Sequence, residues 1–205
     1  MTTNDVQLQR GGLYSPANEH DACGIGMVVN IKGNKSHQLV ESALTVLENM
    51  RHRGAEGADN KTGDGAGILV QIPHEFTLLQ GIPVPEKGHY GTGLIFSPKD
   101  EERKEHIFAV ITEESDNAGF KILHLRPVPV DNSCLGEAAL KNEPDITQIY
   151  LVPDTDMETN ELERKLYILR KKVERRIKDE DFYIVSLSAR ILIYKGMLSS
   201  LQLRQ

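Results

Sequence analysis

Tryptophan is absent from this 205-residue chain, and cysteine occurs only twice, at Cys23 and Cys134. Two cysteines cannot staple a small disulfide scaffold. Neither belongs to a Cys-x-x-Cys pair, and the seven histidines are scattered without a ligand pair. No metal site is therefore expected. Long apolar runs are missing as well: nothing approaches the roughly 20 residues that span a bilayer. Nor is there an excess of positive charge. The net charge of −6 and the pI of about 5.7 argue against a protein that binds phosphate backbones. Neither nucleic acid nor membrane is expected as a partner.

What is present suffices for a real core. Hydrophobic residues make up 39%, and 17 glycines and 9 prolines are near ordinary usage, so a folded chain of one domain or a large part of one is expected. The first 22 residues are polar, and His20, Asp21 and Ala22 directly precede Cys23. An export signal needs a basic start and an apolar stretch of about 7–15 residues, so this leader is neither secretory nor a lipidation signal. A reducing cytoplasm is the expected compartment.

Along the chain, Gly24 to Ile31 reads as a buried strand closed by a Gly33-Asn34 turn. His37 to Met50 carries Leu39, Val40, Ala43, Leu44, Leu47 and Met50 at helical spacing. Arg51 to Gly67 is mostly loop. Ile68–Ile72, Gly88–Phe96, Phe120–Arg126 and Thr147–Val152 read as strands. Ser97-Pro98 resembles a helix start, with Ser97 as cap and the helix running to about Glu114. Glu158 to Lys178 is the longest helical candidate, with Leu162, Leu166, Leu169, Val173 and Ile177 on one stripe. Phe182–Leu187 and Ile191–Tyr194 read as two final strands, and Gly196 to Gln205 has no clear signal. The order is not a clean βαβ alternation, so an α+β, layered sheet–helix architecture is expected.

Several segments resemble chemical motifs and fail the test. Gly63-Asp64-Gly65-Ala66-Gly67 lacks the Lys-Ser/Thr of a phosphate loop and the third glycine of a dinucleotide fingerprint. Lys61 and Gly63 stand where a calcium loop needs oxygen ligands. What remains is a backbone that turns tightly or approaches something closely; a plain tight loop reads equally well. His74-Glu75 lacks the second histidine of a metalloprotease helix, since Leu78 takes its place. The basic residues Arg164, Lys165, Arg170 to Lys172, Arg175 and Arg176 alternate with Glu161, Glu163 and Glu174, as on a solvated, ion-paired helix face. Cys134, within Asp131-Asn132-Ser133-Cys134, reads as a structural thiol. Cys23, where a polar leader meets an apolar strand, is either a small buried hydrophobe or a nucleophile.

Taken together, HDACGIGMVV, NMRHRGAEGAD, TGDGAGILVQIP and the later FYIVSLSARILIYKGML resemble the N-terminal glutamine amidotransferase domain of the glutamate synthase large chain. That domain is a class II amidotransferase of the N-terminal-nucleophile hydrolases. The resemblance runs from about His20 to about Leu198. It implies a four-layer αββα sandwich and a leader of residues 1–22 removed to leave Cys23 as the first residue of a domain spanning 23–205. Cys23 would then be the catalytic nucleophile. Arg53 and Gly54, in His52-Arg53-Gly54, would order the pocket or bind substrate. The implied substrate is glutamine. Implied partners are the other glutamate synthase domains or chains and a small electron-donating subunit. FMN and an iron–sulfur cluster are implied for the rest of that enzyme, with no cofactor in this chain.

The family places its glutamine-anchoring arginine in an Arg-Phe-Ser-Thr segment and oxyanion donors in a His-Asn-Gly segment. Neither occurs in this sequence. The fold is therefore expected to be incomplete at its C-terminal end, and the chain to be a fragment, a truncated product or a piece that works with a second chain. The alternatives are a non-catalytic remnant or assembly module, and another class II amidotransferase with a different ammonia acceptor.

Overall fold

The computed structural model describes residues 24–53, 59 and 61–204. Among these described residues six helices and six strands follow in the order α1 (His37–Asn49), a 3-10 turn (Arg51–Arg53), β1 (Ala66–Gln71), α2 (His74–Leu79), β2 (Gly91–Ser97), α3 (Glu101–Asn117), β3 (Phe120–Pro127), α4 (Glu137–Lys141), β4 (Asp145–Pro153), α5 (Thr159–Arg176), β5 (Tyr183–Ile184), β6 (Ile191–Gly196) and α6 (Ser200–Arg204). Among the described residues the strands make two sheets, one of four in the order β3-β4-β2-β5 and one pairing β1 with β6. All the pairings are antiparallel. The architecture is the α+β arrangement expected from the sequence.

Strand β2 is buried along nearly its whole length, because both of its faces are covered. On one face Ile95 joins Ile149, Leu151, Phe120 and Ile184 beneath α3 and α5, whose Ile107, Ile111, Leu162, Leu166, Leu169 and Val173 complete the main core. The stripe read from the sequence is this packed face, with Leu162 and Leu166 fully buried. On the opposite face Leu94 meets Val185 and Leu192, with Val70 and Ile193 against them, so the two-stranded sheet lies across the four-stranded one. Helices α1 and α6 pack on β1 and on each other.

Two glycines make this double burial possible. A Cβ on Gly93 would stand 1.8 Å from the Ser186 carbonyl oxygen, and one on Gly91 would stand 2.6 Å from Leu166 Cδ1. Polar groups on the strand are buried only with partners, as their desolvation demands. Gln148 Nε2 donates to Thr92 Oγ1 at 3.1 Å. The Tyr90 hydroxyl lies 3.1 Å from His74 Nδ1, and burial pushes its pKa up to about 12.

Three expectations are corrected. Gly24 to Ile31 is not a buried strand: Ile25, Met27 and Ile31 are 89%, 86% and 98% exposed, and within the described residues β1 and β6 pair only with each other. An apolar run makes burial favourable but does not supply an edge to pair with. The helix after β2 is capped by Asp100, whose Oδ1 accepts from Arg103 N at 2.9 Å, because Ser97 is still the last residue of β2, paired with Asp145. The segment Phe182–Leu187 is strand only at Tyr183–Ile184. Beyond it the chain bends to the Thr92–Ser188 bridge, where Glu163 accepts from Ser188 Oγ at 2.5 Å and from Ala189 N at 2.7 Å. The short helices α4 and α6 carried no readable period. The basic face of α5 is ion-paired as expected: Arg170 and Lys171 both bind Glu174 at 2.7 Å, and Arg176 reaches Glu113 and Glu114 of α3.

The two glycines separate by what they touch. Gly93→Ala presses on backbone and is expected to cost about 1–3 kcal/mol, lowering the thermal midpoint by several degrees. Gly91→Ala presses only on the movable end of Leu166 and should cost less. Thermal denaturation of both variants checks this; equal losses would contradict the assignment.

Candidate functional site

Three chain segments contact α1 or continue from it. The first is the extended stretch after Cys23. A Cβ on Gly26 would lie 2.2 Å from Val46 Cγ1 and 3.5 Å from Met50 Cε, so only glycine lets this stretch cross α1 so closely. The second is the Arg51–Arg53 turn, which continues directly from α1. The third is α6, whose Arg204 binds Glu48 and Glu41 of α1, the latter at 2.5 Å, and Thr45 Oγ1 at 3.1 Å. The paired carboxylates push the Arg204 pKa up.

The glycine-rich loop lies against α6. Asp59 organises its start: Oδ1 accepts from Thr62 N at 2.7 Å and from Lys61 N at 3.0 Å, and Oδ2 accepts from Thr62 Oγ1 at 2.5 Å. These donors hold the Asp59 carboxyl at about 2, below its usual 3.8, because each stabilises the charged form. Gly136 packs on this turn; its Cβ would be 2.2 Å from Asp59 Oδ2. A Cβ on Gly63 would be 2.3 Å from the Leu198 carbonyl carbon, and one on Gly67 2.8 Å from the Tyr194 carbonyl oxygen. The loop therefore makes the close backbone approach that was one of two open readings, and the approach is to β6 and the segment leading into α6.

Gln202 closes the junction. Its Nε2 donates to the Lys61 carbonyl at 2.9 Å and to the Cys134 carbonyl at 2.7 Å, while its Oε1 accepts from Ser199 N at 2.8 Å. Sequence reasoning missed Asp59, Thr62, Gln202 and Arg204. The Asp-x-x-Thr spacing around Asp59 is a side-chain-to-backbone turn signal; Gln202 and Arg204 act across 141 and 163 residues of chain and carry no local signal.

Of the residues singled out from the sequence, Cys23 and Gly54 lie outside the described residues, and only the backbone of Arg53 is described. Cys134 lines a cavity of about 1090 Å³ together with Val130, Tyr183 and Met197. Several of the charges there are engaged: Lys99 binds Glu143 at 2.6 Å, Arg103 binds Asp181 at 2.8 Å, and Lys195 Nζ sits 4.2 Å over the Tyr183 ring. Among the described residues no group of three His, Cys, Asp or Glu side chains is placed to hold a metal, and no helix is long and apolar enough to cross a membrane.

The sequence model described as "Glutamine amidotransferases class-II" matches residues 23–205. The chain is 42% identical, over 97% of its length, to the glutamate synthase [NADPH] large chain of Bacillus subtilis. It is 41% identical to the glutamate synthase [NADH] of Schizosaccharomyces pombe over 93% of its length, and 38% identical to ferredoxin-dependent glutamate synthase 2 of Synechocystis over 89%. The matched region spans only 13%, 10% and 12% of these three relatives.

The Asp59 turn gives a pH signature. Its folded pKa is depressed, so its stabilising effect is full above about 4 and fades as the pH falls through about 2. The thermal-midpoint gap between the wild type and Asp59→Ala should stay constant from neutrality to about pH 4 and close below it. A gap independent of pH would contradict the turn's ionised state.

Proposed function

The chain belongs to the class II glutamine amidotransferases, and on that premise we propose that it is the glutaminase part of a glutamate synthase, hydrolysing glutamine to glutamate and ammonia at Cys23. The family match beginning at residue 23 carries this reading. Residues 1–22 are a leader removed on maturation, and the remainder is the amidotransferase domain. The freed α-amine, with an ordinary pKa of about 7.7–8.0, takes the thiol proton as general base. The Cys23 thiolate attacks the side-chain amide carbon of glutamine, and the C–N bond breaks as the ammonium proton is delivered to the leaving nitrogen. Ammonia departs, and water hydrolyses the resulting glutamyl thioester to glutamate, returning the thiol.

The geometry supports this assignment. Gly26, three residues after Cys23, crosses the second half of α1 at Val46 and touches the side chain of Met50, three residues before Arg53. The stretch after residue 23 and the turn of Arg51–Arg53 thus both adjoin the second half of α1, and the role given to Arg53 and Gly54 is to order the pocket. The fold is the four-layer αββα sandwich of N-terminal-nucleophile hydrolases, and the packing sequence agrees: α3 and α5, the four-stranded sheet, the two-stranded sheet, then α1 and α6. In the whole cytoplasmic enzyme the ammonia serves glutamate synthesis from 2-oxoglutarate. The remaining domains hold FMN and an iron–sulfur cluster and meet a small electron-donating subunit.

A diazoketone analogue of glutamine tests the site. In the full-length protein it should modify Cys23, located by peptide mapping, and Cys23→Ala should abolish both the label and at least about 99.9% of glutamine hydrolysis. Labelling at Cys134 instead, or hydrolysis that survives Cys23→Ala, would overturn the proposal.

A further inference from the structure

Helix α6 is only five residues long, yet it grips both sides of the segment that carries Arg53. On the near side Arg204 forks across Glu41, Thr45 and Glu48, fixing α6 to the helix from which the Arg51–Arg53 turn emerges. On the far side Gln202 holds the Lys61 carbonyl, next to the Asp59–Thr62 turn. The same amide holds the Cys134 carbonyl, which places the Gly136 loop behind that turn. The α6 lead-in is wedged by Gly63 against Leu198 and Ser199. A short helix that buries none of its own residues thus links the arginine turn to the glycine-rich loop.

Neither residue is needed for the packing of β2, α3 and α5, which holds the main core without them. Their bonds are of the kind where chemistry matters more than volume. A primary amide can donate to two carbonyls at once while accepting at its oxygen, and a planar guanidinium holds two carboxylates in a fixed fork, where an ammonium is a point charge on a flexible stem.

We propose that Gln202 and Arg204 are positioning residues for the glutamine pocket: through α6 they hold the Arg51–Arg53 turn and the Lys61–Gly65 loop at the spacing that a bound glutamine side chain requires. This rests on the glutaminase reading above. Neither residue touches the reacting atoms, so substitution loosens substrate recognition and leaves the intrinsic reactivity of the Cys23 thiolate alone.

The test compares two electrophiles on the full-length protein: the diazoketone glutamine analogue, which needs the pocket, and iodoacetamide, which needs only the thiolate. Gln202→Glu is nearly isosteric but turns an oxygen toward both carbonyls. It should slow inactivation by the analogue about tenfold, the effect of roughly one lost hydrogen bond, and raise the KM for glutamine by a similar factor. Inactivation by iodoacetamide and kcat should hold. Arg204→Gln should behave likewise, and Arg204→Lys should recover part of the loss. Should Gln202→Glu fail to fold, Gln202→Met, which keeps the length without the donors, is compared in the same way. An unchanged analogue rate in a folded variant overturns the proposal, and so does an equal slowing of both electrophiles, which would mark a merely structural role. Failure of the wild type to be labelled at Cys23 would instead overturn the underlying glutaminase reading.

Discussion

Strand β2 must be buried on both faces, and most of the molecule follows from that constraint. One face receives the two long helices through Ile95, and the other receives β6 through Leu94. A strand in this position cannot be amphipathic, and it reads instead as a nearly continuous small or apolar run. Its glycines yield room where Leu166 and the Ser186 carbonyl press in. Its two buried hydroxyls are both satisfied by the neighbouring strand: Thr92 Oγ1 accepts from Gln148 Nε2, and Ser97 Oγ donates to the Asp145 carbonyl. Fixing β2 fixes β6 above it, and β6 fixes β1 by an unbroken antiparallel register from Ala66–Gly196 to Gln71–Ile191.

The candidate site hangs from that second sheet. The glycine-rich loop is the lead into β1, and α6 follows β6, so the two ends that meet at Gln202 leave one two-stranded ladder side by side. Close backbone approach at Gly63 and Gly67 is what the glycines of the loop are for. No anion or nucleotide chemistry is needed to explain them. Charge then adds direction: Arg204 on two acids of α1 and Asp59 on three donors of its own turn orient the loop relative to the helix. These are hydrogen-bonded charges at partly exposed positions, where geometric specificity counts for more than net stability.

What could be read beforehand follows the range of the signal. The stripe of α5 was legible because Leu162, Leu166, Leu169 and Val173 repeat at the helical period and bury against one surface. The helix of α1 and the strands around Leu69, Ile95, Leu125 and Ile149 were legible for the same local reason. The cap of α3 was misplaced because Ser97 and Asp100 both have capping chemistry, and only the sheet register decides that Ser97 belongs to β2. Gly24 to Ile31 was misread because burial depends on a partner edge that composition does not reveal. The junction at Gln202 and Arg204 was illegible, since its partners lie far away along the chain. The proposed role of Cys23 is legible only through the likeness of whole motifs to a family, as an isolated cysteine beside a strand says little.

The central claim is that Cys23 works as the first residue of a mature chain, with its own α-amine as base. The most direct measurement is the N-terminus of the active full-length protein, by intact mass with N-terminal sequencing. The account predicts that the active species has lost residues 1–22 and begins at Cys23. A protein that hydrolyses glutamine with residues 1–22 still attached would contradict it.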